Sequence, residues 1–211
     1  MLTIECSNLI NISFEEGSKL KEIGKYSFYG CSNLINISIP SLVESINDYS
    51  FCECSKLINL SFEEGSNLIT IGEDAFCGCI ELEAILIPSS VKSIGNESFY
   101  GCSKLAKILF EEGSYLTAIG GYAFQECVEL KTVSIPSSVK LIGMLAFYNC
   151  INLTNISFEE GSNLIIIDAG AFAICGELKT ISIPSSIKSI GLGVFFQCSK
   201  LEKIIFEEGS N

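Results

Sequence analysis

The chain has 211 residues, 48 % of them hydrophobic, and a formal charge of −12. All 13 basic residues are lysines, and there is no Arg, His or Trp. This excludes the basic footprint of a nucleic-acid binder, Ser-His and Cys-His nucleophile pairs, and, with no long apolar run, a segment of the roughly 18–20 residues needed to cross a bilayer.

Residues 1–13 begin partway through a structural unit. Met1–Cys6 holds no basic segment followed by an apolar stretch, so it does not read as a signal peptide. From Phe14 onward the chain repeats itself over 14–61, 62–109, 110–157 and 158–205, and 206–211 lies inside a turn. Cysteines at 6, 31, 54, 79, 102, 127, 150, 175 and 198 are spaced alternately by 25 and 23 residues, so the full period is 48. Phe-Glu-Glu-Gly-Ser recurs at Phe14, Phe62, Phe110, Phe158 and Phe206, and the four prolines, Pro40, Pro88, Pro136 and Pro184, keep the same interval. The extra two residues of the longer coil fall in that Phe-Glu-Glu-Gly-Ser turn, where a length difference costs least. Self-similarity at such a period predicts a single array, residues 1–211, of alternating 25- and 23-residue coils.

Each coil opens, after its cysteine, with Leu-x-x-Ile-x-(Ile/Phe), as in Leu82, Ile85 and Ile87. Alternating apolar residues predict a short strand with one buried face. A second apolar set follows the turn: Val91, Ile94 and Phe99 in one coil type, Leu116, Ile119 and Phe124 in the other. No coil can bury both sets alone, whereas stacked coils bury them as continuous ladders. After the second isoleucine comes Gly24, Asn47, Gly72, Gly95, Gly120, Gly143, Asp168 or Gly191. These residue types tolerate positive φ, which predicts a left-handed corner there. A short (Ala/Ser)-Phe-x-x-Cys segment closes the coil and predicts one helical turn, being too short for an independent helix. Uncapped ends would expose apolar ladder residues. The expectation is therefore a fragment of a longer protein, or ends covered by another copy in end-to-end self-association.

The pattern Cys-x-x-Leu-x-x-Ile-x-Ile-Pro-x-x-(Val/Ile)-x-x-Ile-Gly-x-x-(Ala/Ser)-Phe-x-x-Cys resembles the BspA-type, or Treponema pallidum-type, leucine-rich repeat over essentially the whole chain. Leu42, Asn47, Asp168 and Val194 are its minor departures. The resemblance implies an α/β repeat fold. This is a right-handed leucine-rich-repeat solenoid, or horseshoe, with a parallel β-sheet on the concave side and short strands and single helical turns on the outer side. It also implies surface proteins of bacteria and anaerobic protists that contact host proteins or other cells.

The candidate sites follow from the repeat. The cysteine column predicts buried, reduced thiols packing as small hydrophobes, because parallel Cβ vectors suit a disulfide poorly. Cys52, Cys54, Cys77 and Cys79 lie in consecutive coils, but Cys54 and Cys79 belong to the column, and neither metal nor cofactor is predicted. The glutamate pairs, such as Glu63 with Glu64 and Glu111 with Glu112, predict a solvated acidic ridge. Its neighbours stand roughly 10 Å apart, too far to share a calcium ion. The concave face supplies the binding candidates: Asn36, Ser38, Asn59, Ser61, Leu86, Lys107, Leu109, Thr132, Ser134 and Asn155. Leu86 and Leu109, flanked by Lys107, make its one apolar step in mid-array. The outer face, with Tyr26, Tyr49, Tyr100, Tyr122 and Tyr148, is the alternative.

Two functions stand on this reading. One is a non-enzymatic protein-binding module for contact with a host or another cell at the cell surface. The other is an intracellular repeat scaffold, which the thiols and the absence of an export signal favour. Long-range attraction favours a basic protein partner, with neither nucleic acid nor membrane insertion by this segment. Six Asn-x-(Ser/Thr) triplets, such as that at Asn36, would place glycans on the concave sheet in a eukaryotic secretory route, and that route would oxidise the thiols. Family setting and thiol content thus point to opposite compartments.

Overall fold

Four extended residues with alternating apolar side chains offer a buried face too small to be stable alone, so each strand needs neighbours on both sides. The computed structural model, which describes residues 6–209, shows how they are supplied. Among the described residues there are sixteen strands and no helix. They are β1 (Glu22–Ile23), β2 (Asn36–Ile39), β3 (Ser45–Ile46), β4 (Asn59–Phe62), β5 (Thr70–Ile71), β6 (Ala84–Ile87), β7 (Ser93–Ile94) and β8 (Lys107–Phe110). Then come β9 (Ala118–Ile119), β10 (Thr132–Ile135), β11 (Leu141–Ile142), β12 (Asn155–Phe158), β13 (Ile166–Ile167), β14 (Thr180–Ile183), β15 (Ser189–Ile190) and β16 (Lys203–Phe206). The odd-numbered two-residue strands form one eight-stranded sheet in chain order. The four-residue strands β2 to β12 form a six-stranded sheet, and β14 pairs with β16. All pairings are parallel. The result is a parallel β-solenoid about eight turns deep.

The long strands associate as doublets. β2 and β4 pair along their full length, from Asn36↔Asn59 to Ile39↔Phe62, and so do β6 with β8 and β10 with β12. Between doublets only Asn59↔Ala84 and Thr132↔Lys107 remain in register. Proline explains the asymmetry. Within a doublet, the residue after the second strand continues the ladder: the Glu63 N–H donates to the Ile39 carbonyl at 3.0 Å. At the opposite edge that donor position is Pro88 or Pro136, and proline has no N–H to give to Phe62 or Phe110.

The interior between the sheets is a set of ladders. Phe28, Phe51, Phe76, Phe99, Phe124, Phe147, Phe172 and Phe195 stack ring on ring, with centroids from 5.1 to 6.1 Å apart. Beside them runs the cysteine column, buried from Cys31 to Cys175. From Cys54 to Cys198 each thiol of the column donates to the phenylalanine carbonyl of the preceding coil, as Cys79 Sγ does to Phe51 O at 3.3 Å and Cys127 Sγ to Phe99 O at 3.4 Å. Burial pushes Cys102, Cys127 and Cys150 well above the ordinary thiol range, so they pack as inert small hydrophobes.

Two sequence expectations are corrected. The (Ala/Ser)-Phe-x-x-Cys segment is not a helical turn. Its amides alternate: those of Tyr26, Phe28 and Gly30 donate to Asp48, Ser50 and Cys52 of the next coil, while Ser27, Tyr29 and Cys31 donate three residues back. A helix needs every amide along one axis, and here every second one is claimed by the stack. Nor does the glycine column supply the left-handed corner. Positive φ falls two residues later, at Tyr26, Tyr49, Asp74, Glu97, Tyr122 and Leu145, and again just before each cysteine, as at Glu53 and Glu126. The glycines are there for close approach: a Cβ on Gly120 would lie 2.5 Å from the Gly95 carbonyl carbon.

Candidate functional site

On the long-strand sheet the residues alternate in burial, so the first and third residues of each strand line one outward face. Asn36, Ser38, Asn59, Ser61, Leu86, Lys107, Leu109, Thr132, Ser134 and Asn155 are all exposed there. The doublets divide them. Asn36, Ser38, Asn59 and Ser61 sit on β2–β4, where Asn59 Nδ2 donates to Asn36 Oδ1 at 2.6 Å. On β6–β8, Ala84 pairs with Lys107 and Leu86 with Leu109. Leu86 is 46 % exposed and Leu109 53 %, so two leucines lie side by side in water with a lysine beside them. Thr132, Ser134 and Asn155 belong to β10–β12, which touches that step in register only through Thr132↔Lys107. A leucine pair exposed in this way can leave water only against another molecule.

The acidic ridge is half solvated and half structural. In three of the pairs the first glutamate reaches back to the proline turn of the preceding coil. Glu63, Glu111 and Glu159 accept the N–H groups of Ser41, Ser89 and Ser137, each at 2.9 Å. Each carboxylate thus satisfies an amide that the interrupted ladder leaves over. The second members, Glu64, Glu112 and Glu160, are exposed. Cys54 and Cys79 aim their thiols at the Phe28 and Phe51 carbonyls. Among the described residues no cluster of three or more His, Cys, Asp or Glu side chains could hold a metal ion.

On the outer turns, Tyr26 and Tyr49 stack with centroids 4.9 Å apart and nearly parallel rings. The Asp74 carboxylate, by its charge and by accepting a hydrogen bond, pushes the Tyr49 phenol up to about 12. Tyr100, Tyr122 and Tyr148 are half-buried.

Sequence reasoning missed a cleft of about 480 Å³ where the short-strand sheet meets the outer turns. Its floor is Ala118, Gly121, Leu141 and Met144, and Glu73, Glu97 and Asp168 stand around it. Burial, together with the charges of Asp74 and Glu73, raises the Glu97 carboxyl above its usual range. The available signal was Gly120-Gly121. The position of Gly121 carries Lys25, Asp48, Glu73, Asn96 or Met144 in other coils, so a missing side chain there leaves a gap.

A family model for the BspA type leucine rich repeat region matches residues 4–106 and 117–211 in 6 copies. No curated protein matches the sequence. Among solved structures, the Treponema pallidum leucine-rich-repeat protein is 28 % identical with a TM-score of 0.64, over 92 % of this chain and 78 % of that one. The pneumococcal vaccine antigen PcpA is 24 % identical with a TM-score of 0.59, over 96 % of this chain. A leucine-rich-repeat protein from Eubacterium ventriosum is 24 % identical with a TM-score of 0.51, over 88 % of this chain. The chain spans 44 % of the pneumococcal antigen and 57 % of the Eubacterium protein.

Proposed function

The chain belongs to the BspA-type leucine-rich-repeat family, and from that premise we propose that it is a non-enzymatic protein-binding module making contacts at a cell surface. The observation that carries the reading is the Leu86–Leu109 pair, held in register beside Lys107 on a six-stranded sheet whose other outward residues are small or polar. In this reading that sheet face is the concave side of a right-handed horseshoe. A protein partner covers the leucines, and the serines, threonines and asparagines on either side hydrogen-bond around them. The charge of −12 favours a basic partner through long-range attraction. The absence of histidine supports a contact role over catalysis, and the stacked architecture supports end-to-end association with a second copy.

A second reading, an intracellular scaffold, is favoured by the buried column of free thiols, which a reducing compartment preserves. Protease shaving of intact cells separates the two: loss of the chain supports the first, and full protection overturns it. The binding face is tested by affinity capture on immobilised protein, wild type against the Lys107→Glu, Leu109→Asp double variant. The partner should elute from the first and be lost from the second, with circular dichroism unchanged. Equal retention on both overturns the assignment of the face, and retention on neither overturns the binding role.

A further inference from the structure

The cleft over Gly121 lies on a different surface from the exposed leucines, and its shape and charge select their own ligand. Its floor is apolar: Ala118, Leu141 and the 40 % exposed Met144. Its rim is acidic, and among the described residues no lysine pairs with Glu73, Glu97 or Asp168. Four acids elsewhere do pair with a lysine of the neighbouring coil, as Glu44 does with Lys21 at 2.7 Å and Asp48 with Lys25 at 2.5 Å. What sets the carboxylates of the cleft apart from the other unpaired acids is the apolar side chains that line it with them.

The geometry narrows what such a cleft can take. Glu97, Gly121, Met144 and Asp168 belong to four successive coils. Three steps of about 4.8 Å separate Glu97 from Asp168, or roughly 14 Å along the stack. Carboxylates that far apart cannot share a divalent ion, whose ligands lie at about 2.3–2.6 Å. In an extended chain, residues i and i+4 stand about 13 Å apart on the same side, with i+2 between them. The backbone of the floor is already used: the Gly121 N–H donates to Asn96 Oδ1 at 2.8 Å, and its carbonyl accepts from the Glu97 N–H at 2.9 Å. A ligand is therefore held by its side chains and not by strand addition.

We propose that this cleft binds an extended basic peptide in which two lysine or arginine side chains four residues apart reach Glu97 and Asp168, while the apolar side chain midway lies over Ala118, Leu141 and Met144. Anionic lipid is repelled by the rim, and a second copy of the chain brings a like charge of −12.

The test uses two fluorescein-labelled peptides of one composition, Gly-Lys-Ser-Leu-Ser-Lys-Gly and Gly-Lys-Lys-Leu-Ser-Ser-Gly, titrated by anisotropy at low and physiological salt. The spaced peptide should bind at least about fivefold more tightly than the regrouped one. Glu97→Gln and Asp168→Asn should each weaken it by about two- to fivefold, the range of an exposed ion pair. Gly121→Leu fills the floor and should erase the preference between peptides. Equal affinity for both peptides, indifference to both charge variants, or no binding overturns the proposal. If Gly121→Leu does not fold, the charge variants, which leave the floor intact, still decide the matter.

Discussion

The two sheets of this solenoid are built to different tolerances. The short-strand sheet runs through eight strands without a break, and behind it glycine backbones, phenylalanine rings and thiols repeat at near-contact distance. The long-strand sheet is interrupted at Pro88 and Pro136, and exposed carboxylates stitch the adjacent turns. Close stacking therefore lives on one side, and freedom to vary lives on the other. Leu86, Lys107 and Thr132 can differ from coil to coil because their side chains meet water, whereas Phe99 and Phe124 cannot, because each is the other's wall.

Substitutions can break or sharpen that contrast. The largest effect is expected at Phe124→Ala, which removes one fully buried ring from the stack and should destabilise by about 3–5 kcal/mol in denaturant unfolding. A loss below about 1 kcal/mol would mean that neighbouring coils collapse into the gap, contradicting the tight half of the comparison. Adjacent glycines give a cleaner test. Gly120→Ala places a Cβ 2.5 Å from the Gly95 backbone and should cost at least about 2 kcal/mol of stability. At Gly121 the nearest atom would be 3.3 Å away and φ is not positive, so Gly121→Ala should lie within about 1 kcal/mol of neutral.

Smaller effects belong to the interrupted sheet. Glu111→Ala deletes the acceptor of the Ser89 N–H at 2.9 Å and Oγ at 3.1 Å, and should cost about 1 kcal/mol by thermal unfolding. Pro136→Ala restores the missing donor. Stability should hold within about 1 kcal/mol, because the new bond is offset by a more flexible unfolded chain. The new amide should be protected from hydrogen exchange; rapid exchange would show that something other than the missing N–H holds the doublets apart. The smallest effect concerns Glu97. Its carboxyl is raised in the folded state, so the folded protein binds the proton more tightly than the unfolded one. Stability then falls as pH rises from the unfolded value through the raised folded value. Glu97→Gln should be slightly stabilising at neutral pH and lose that advantage in acid, as a pair of melting curves would record.

Much of this was legible in the residues. Alternation in Ala84–Ile87, the recurrence of Phe124 and Cys127, and the position of Leu86 beside Leu109 required only that each coil lie on the next in register. What escaped were backbone events. The Gly120 column reads equally well as positive φ or as close approach, and only neighbouring coils tell the two apart. The left-handed residues turned out to lie at the positions of Tyr122 and Glu126, where Gly, Asn and Asp in some coils alternate with Tyr, Glu, Leu, Ile and Gln in others, so no single column carries the signal. The capping role of Glu111 was hidden because its partner, Ser89, lies one coil back. The cleft depends on an absence, a side chain lacking at Gly121 among five coils brought together.

By itself, the repeat determined that the chain stacks, which side chains line the interior and which face is left to solvent, since period and alternation are properties of the string. Only the tertiary structure decided the conformation of the outer turns, the doublets of the long-strand sheet and the acidic cleft. Those depend on which amide, carbonyl or carboxylate of one coil lies across from another, and the letters of a single coil hold no record of its neighbour.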